Sequence, residues 1–451
     1  MINKTSAIIT GFVFMSVCGI TACNDSTLSG DINSGQPGKS PDPVSLMVFG
    51  GSEVDGVTDM ISLKNGGFLV TGYSSSNDGD FAGSNKGGFD VFVMKFNATG
   101  QLEWNRSFGG SRNEYALSVI EVKEGGYVIT GYTNSTDGDF FREKSGQLDV
   151  FVIKLTEAGF VEWAHAYYGN SLDYSSSIIE TNDGGYAITG GTTSFDGIFE
   201  DFSGSSVGFL LKIDKKGQKE WIHKIGGTGG YDTGSAITRV SRGYVLTGST
   251  QSFNSVNEQM NKYGVFVTKY NTHFEYEWTR VYEDLTPENF NITQISENGE
   301  GYLFTGWTET TDGGRDVFIS SVDFFGERNW LRTFGGSNWD RSFAFTQTQS
   351  GEIVLTGLFS SLDGYFNGLN RGGQDIFVKK MDAAGNTVWL KTFGGTGNES
   401  GQAIIKTDDG SYIFAGNTSS GNGDFSGIKN SFGMDIFIMK LDNNGKRLRF
   451  N

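Results

Sequence analysis

Seven copies of one unit run through this chain, which confines its fold to architectures that stack or close similar modules. A strand ending in Thr-Gly or Ala-Gly recurs with glycines at 72, 131, 190, 248, 306, 357 and 416, at spacings of 59, 59, 58, 58, 51 and 59 residues. An aromatic or aliphatic residue before a Gly-Gly-like pair recurs at Phe49, Phe108, Tyr168, Ile225, Tyr282, Phe334 and Phe393. A tryptophan follows a turn glycine at Trp104, Trp163, Trp221, Trp278, Trp330 and Trp389. Each unit holds four short runs of β-branched and aromatic residues. In the second they are Ala116 to Val122, Gly126 to Tyr132, Asp149 to Leu155 and Val161 to Tyr167. The expected fold is all-β, a seven-bladed β-propeller of four-stranded blades spanning residues 44–451. A linear β-solenoid is the alternative, and the chain ends discriminate. Val44 to Gly51 reads as a lone fourth strand, and the last repeat stops abruptly at Arg447 to Asn451. An N-terminal strand that completes the last blade closes the ring and removes the open edges.

The residues before the repeats have a different character. Lys4 supplies a small basic region, and Ser6 to Ile20 is an apolar stretch too short to span a bilayer comfortably. It ends in Ile20-Thr21-Ala22-Cys23, which resembles the processing site of bacterial lipoproteins. That resemblance implies a signal peptide over 1–22 and a diacylated Cys23 as mature N-terminus, with ordinary cleavage after Ala22 as the alternative. Residues 23–43 then form a polar tether that carries three of the four prolines. The expected location is a bacterial cell envelope, at the outer membrane or cell surface, with the membrane engaged through the lipid anchor.

Units such as Gly125-Gly126-Tyr127-Val128-Ile129-Thr130-Gly131-Tyr132, then Asp137-Gly138-Asp139-Phe140, then Asp149-Val150-Phe151-Val152-Ile153-Lys154, resemble the β-propeller repeats of bacterial secreted and cell-surface proteins. The resemblance implies the fold and an extracytoplasmic setting, and little about activity.

Charge and composition narrow the chemistry. A formal net charge of −17 argues against nucleic acid as a partner. Three histidines and two cysteines leave little from which to build zinc or thiol chemistry. In a propeller whose chain runs from inner to outer strand, the short turns share one face. The crossings between blades and the long second-to-third loops share the other, and long loops on a rigid scaffold are where binding is usually built.

Three features fall on that long-loop face. The Asp-Gly-Asp-Phe loops place Asp78, Asp80, Asp137 and Asp139 as spaced carboxylates that could coordinate calcium, or as plain turn formers whose Phe plugs the blade edge. An acid follows each crossing, at Asp55, Glu114, Asp173, Asp232, Glu288, Asp340 and Glu399. It is either a cap for backbone N–H groups or part of a cation site. Finally, the fifth repeat has only Thr308 to Arg315 where others have long loops, so the rim is low there. Trp307, Trp339, Asp312, Arg315, Asp340 and Arg341 gather beside that gap and supply the aromatic faces and charges of a sugar or peptide site.

No catalytic group emerges. His165 and His223 lie on outer strands and His273 in a short turn of the opposite face. The expected function is a monomeric, non-enzymatic binding or adhesion scaffold for a glycan or protein ligand. An envelope-assembly scaffold and a polysaccharide-degrading enzyme are the rivals.

Overall fold

In each repeat, consecutive strands pair antiparallel with the next in sequence, and the result is a set of seven sheets. The computed structural model describes residues 45–140, 147–203, 205–227, 230–255, 258–285, 292–311, 313–427 and 433–450. The first strands of the sheets are Asp55–Ser62, Glu114–Glu121, Asp173–Glu180, Thr233–Val240, Ile292–Glu297, Asp340–Gln347 and Glu399–Lys406. Each packs on the next, and the last packs on the first, so the sheets are blades of a closed seven-bladed propeller with these strands innermost. In blade 2 the strands are Glu114–Glu121, Tyr127–Thr133, Asp149–Leu155 and Val161–Tyr167. The third and fourth match the sequence reading, and the first two are shifted by one or two residues.

The repeated Thr-Gly has a physical reason. The threonine Oγ1 of residues 71, 130, 189, 247, 305 and 356 donates to the carbonyl of the phenylalanine across the ladder at 92, 151, 209, 266, 318 and 377. The glycine faces a bulge in the inner strand, where the register slips by one residue. There the inner backbone comes so close that a Cβ on Gly131 would lie 1.8 Å from the Tyr115 carbonyl oxygen. Only glycine fits.

Closure uses both chain ends. Leu46–Phe49 pairs antiparallel with the third strand of blade 7, from Leu46 opposite Met439 to Phe49 opposite Ile436. Arg447 and Leu448 pair with the last two residues of that strand, Leu441 and Lys440. The outer strand of blade 7 is thus spliced from the two ends of the ring.

The hydrophobic core is a series of layers between neighbouring blades. One layer joins Phe68, Phe92 and Phe96 of blade 1 to Ile413, Ile436 and Ile438 of blade 7, with Met47 and Phe49 packed against it. One lysine breaks the pattern. The third-strand position held by Met94, Ile153, Leu211 and Met439 elsewhere is Lys379 in blade 6. It is 3% exposed, with its ammonium 3.6 Å from the Phe334 ring centroid and 4.3 Å from that of Tyr365. Burial pulls its pKa down to about 8. The aromatic faces offset only part of the cost of burying that charge. Lys379→Met should therefore stabilise the fold by about 2 kcal/mol at pH 7, read as a raised urea midpoint. A lowered midpoint would mean that the cation–π contacts outweigh desolvation.

Blade 4 departs from the repeat. Without an Asp-Gly-Asp-Phe sequence to turn the chain, its second and third strands run on as a 13-residue hairpin pair, Gly243–Ser255 and Glu258–Tyr270, where most blades have 7-residue strands. This blade raises a β-hairpin in place of the expected long loop.

Candidate functional site

The crossings and the long loops lie on one face because they hold each other. Asp78 Oδ1 accepts the Ser52 N–H at 2.7 Å, and Asp80 Oδ2 accepts the Gly50 N–H at 2.9 Å. Asp137 and Asp139 do the same for Ser111 and Gly109 at the next crossing, and Lys86 also pairs with Asp139. The phenylalanine closing each motif, Phe81 or Phe140, is buried beneath it. The four carboxylates named for calcium are thus each engaged by crossing amides. Asp196, Asp363 and Asn422 repeat the first of these bonds.

The acid after each crossing is the hub of the same clamp. Asp55 accepts the Gly51 N–H at 2.8 Å and the hydroxyls of Ser74 and Ser76. Glu114, Asp173, Asp232, Asp340 and Glu399 accept the corresponding amides. Glu288 falls outside the described residues. Burial raises the carboxyl pKa of Asp55, Asp340 and Glu399, and lifts Asp173 to about 6, against the lowering effect of these bonds. A second set of acids, at the start of the third strands, was not singled out in the sequence. Asp90, Asp375 and Asp435 are pushed to about 6, first by burial and then by neighbouring carboxylates such as Glu114, Glu399 and Asp55. Among the described residues no three His, Cys, Asp or Glu side chains form a group able to hold a metal ion.

The junction of blades 5 and 6 is different, and it unites four of the six residues named beside the low rim. Blade 5 turns between its second strand, Gly301–Glu309, and its third, Arg315–Asp323, within a few residues. Arg315 starts the third strand beside the crossing, where its N–H donates to the Asn338 carbonyl and its backbone bridges in parallel to Trp339. That bridge lays its guanidinium over the Trp339 ring, 4.8 Å from the centroid. Arg341, the second residue of the blade 6 inner strand, lies 5.0 Å from Trp339 and also 5.0 Å from Trp307. The result is a chain of contacts, Arg315 to Trp339 to Arg341 to Trp307. Trp307 is 8% exposed and Trp339 is 44% exposed, so the inner indole packs while the outer one faces solvent. Asp340 points away into its clamp, where it accepts from Gly336, Ser360 and Ser361. Asp312 lies outside the described residues.

The same positions at the junction of blades 1 and 2 show what is unusual here. Tyr73, Phe89 and Tyr115 occupy the places of Trp307, Arg315 and Arg341. Their ring centroids are 4.9–5.4 Å apart, a self-contained aromatic cluster that Tyr132 extends. Between blades 5 and 6, two of those aromatics are replaced by guanidiniums. Burial, with Arg315 adding to it, holds the Arg341 pKa down at about 10. Sequence reading named the cationic junction and missed its aromatic counterpart, which a register alignment of Tyr73 with Trp307 and Tyr115 with Arg341 exposes.

The histidines lie apart from this face. His165 lies tilted against Trp163 and His223 stacks on Trp221, both on outer strands, and His273 sits in a short turn.

No family model matches the chain, and no curated protein does. Solved structures are similar in fold. A protein of unknown function from Bacteroides caccae is 11% identical, with a TM-score of 0.34 over 68% of this chain and 92% of that one. A putative 6-phosphogluconolactonase from Bacteroides uniformis is 10% identical, with 0.42 over 77% and 88%. The NanB sialidase of Streptococcus pneumoniae is 8% identical, with 0.43 over 91% and 71%. At this distance neither named activity transfers to this chain, whose propeller stands on its own strand order.

Proposed function

We propose that this chain is a non-enzymatic binding scaffold of a bacterial cell envelope, taking a glycan or protein ligand on the face that carries its crossings and long loops. One observation supports the reading above the rest. The loop and crossing carboxylates such as Asp55, Asp78 and Asp80 are spent on clamping backbone, whereas the Trp339 indole stands 44% exposed at the low rim of blade 5 between the guanidiniums of Arg315 and Arg341. Exposed tryptophan beside arginine is the composition of a binding hot spot. A ring held by six visible clamps presents that spot without reorganisation, which lowers the entropic cost of association.

A glycan array probed with the full-length chain in detergent should retain it, and Trp339→Ala should weaken retention at least ~10-fold. A blank array, with capture of an envelope protein instead, would turn the reading toward a protein ligand. Anchoring is tested separately. Cys23→Ser should shift the chain from the detergent phase to the aqueous phase on phase partitioning, and unchanged partitioning would remove the lipid anchor from the proposal.

A further inference from the structure

The arginine–tryptophan chain is an odd object in this protein. The net charge is −17, yet two guanidiniums are drawn together at one junction. Among the described residues Arg315 is placed against the Glu309 carboxylate at 3.9 Å, the outer limit of an ion pair. Among the described residues, the Arg341 guanidinium lies against two indole faces, with Arg315 near enough to act on it. Two donors in this chain of contacts, the Arg341 Nε–H and the Trp307 Nε1–H, are buried with no protein acceptor. Buried N–H groups are almost always satisfied, and an unsatisfied one is costly. Both atoms are sealed from solvent, so what a ligand meets is the partly exposed Arg315 and Arg341 side chains beside the open Trp339 face.

We infer that the junction of blades 5 and 6 binds the carboxylate of an acidic glycan, a hexuronate. The inference rests on the binding reading above and names the chemistry of its ligand. A guanidinium offers paired N–H donors that match the two oxygens of a carboxylate. The exposed face of Trp339 offers a flat apolar surface of the kind a sugar ring covers. The short turn of blade 5 leaves that surface open to a polymer lying across the rim, longer than one residue. A peptide C-terminus is the rival carboxylate, and it is typically captured by free backbone amides. Here those amides are taken: Gly336 donates to Asp340, Ser337 to Asp363, Asn338 to Ser361 and Trp339 to Ser360. The acidity of the rest of the molecule supports a ligand whose charges are spaced by sugar rings over a densely charged polyanion.

Calorimetric titration of the full-length chain with tetramers of galacturonate, glucuronate and guluronate tests this, each beside its methyl ester. At least one acid should bind, its ester at least ~10-fold more weakly, and raised salt should weaken the acid alone. Arg341→Met keeps a flexible stem between the indoles, and Arg315→Gln removes the other guanidinium over Trp339. Each should cost at least ~10-fold for the acid and little for the ester, with melting curves recorded to confirm folding. Equal binding of acid and ester, abolished by Trp339→Ala, would overturn the carboxylate and leave glycan binding standing. No binding of any tetramer, or binding indifferent to Trp339→Ala, would overturn both. Binding of an N-acetylated tripeptide with a free C-terminus, in place of the sugars, would overturn the glycan and keep the carboxylate.

Discussion

Deleting residues 44–51 should lower the melting temperature by roughly 5–10 °C and leave the chain prone to association. The deletion removes Leu46–Phe49 from the third strand of blade 7, and with it the four side chains that half-bury themselves against two interblade layers. Half-burial of four apolar side chains is worth about 4 kcal/mol, and the lost ladder bonds add to it. In a chain this long each kilocalorie moves the midpoint by about 1–2 °C, less than in a small domain. It also removes the Gly50 and Gly51 amides that Asp80 and Asp55 hold, so blade 1 loses its clamp to blade 7. The uncovered edge of Asp435–Leu441 is then free to pair with another chain. Scanning calorimetry and light scattering read the two effects. An unchanged melting curve would show that the two-residue pairing of Arg447 and Leu448 suffices to close the ring.

Gly131→Ala should be costlier per atom added than any other change proposed for this chain. The new Cβ would sit 1.8 Å from the Tyr115 oxygen, 2.9 Å from its carbonyl carbon and 3.0 Å from the Ala116 Cα. All three are backbone atoms of a strand that also packs on both neighbouring blades, so nothing flexible can give way. The expected loss is about 3 kcal/mol or more. Gly184→Ala is the comparison. That glycine has φ of +81° and open space around it, so the substitution carries only the left-handed backbone penalty of about 1 kcal/mol. If the two variants melt in urea at the same concentration, close approach of the strands is not what keeps glycine at position 131.

Much of this was legible because the repeat encodes geometry seven times over. Thr-Gly marks the second strand, Asp-Gly-Asp-Phe the turn with its buried Phe, and a lone strand before the first repeat the closure. The acids at 55, 114, 173, 232, 340 and 399 were legible as a ring because each stands four residues after its glycine, or five at Asp232. Their hydroxyl partners were less so, because Ser74 and Ser76 reach Asp55 only once the sheet forms. The long hairpin of blade 4 was not legible, since the absence of a turn motif does not say what replaces it. Lys379 escaped notice because a lysine in an apolar run reads as a solvated side chain until its neighbours on two blades are known. The residues Trp307, Trp339, Arg315 and Arg341 stood out in sequence. What sequence could not supply was the order in which they stack, which follows from the parallel bridge between Arg315 and Trp339.

The clamps also bear on how such a ring assembles. The bonds from loop to crossing join residues only 21 to 30 positions apart, as in Val54 with Ser75 and Gly50 with Asp80. The links between inner strands span about one repeat, as when the Val119 N–H reaches Asp59 across 60 residues. Only the seam is remote, where the Val57 N–H reaches Asn417 across 360 residues. A chain emerging from its N-terminus can therefore lock each joint as soon as the following loop appears, at the low entropic cost of a local closure. The last joint alone waits for the final strands, and loop entropy grows so slowly with length that the delay adds only a few kilocalories to its barrier. Six joints fold with the kinetics of a linear array and one with those of a ring, so a slow folding phase should report on blades 7 and 1 alone.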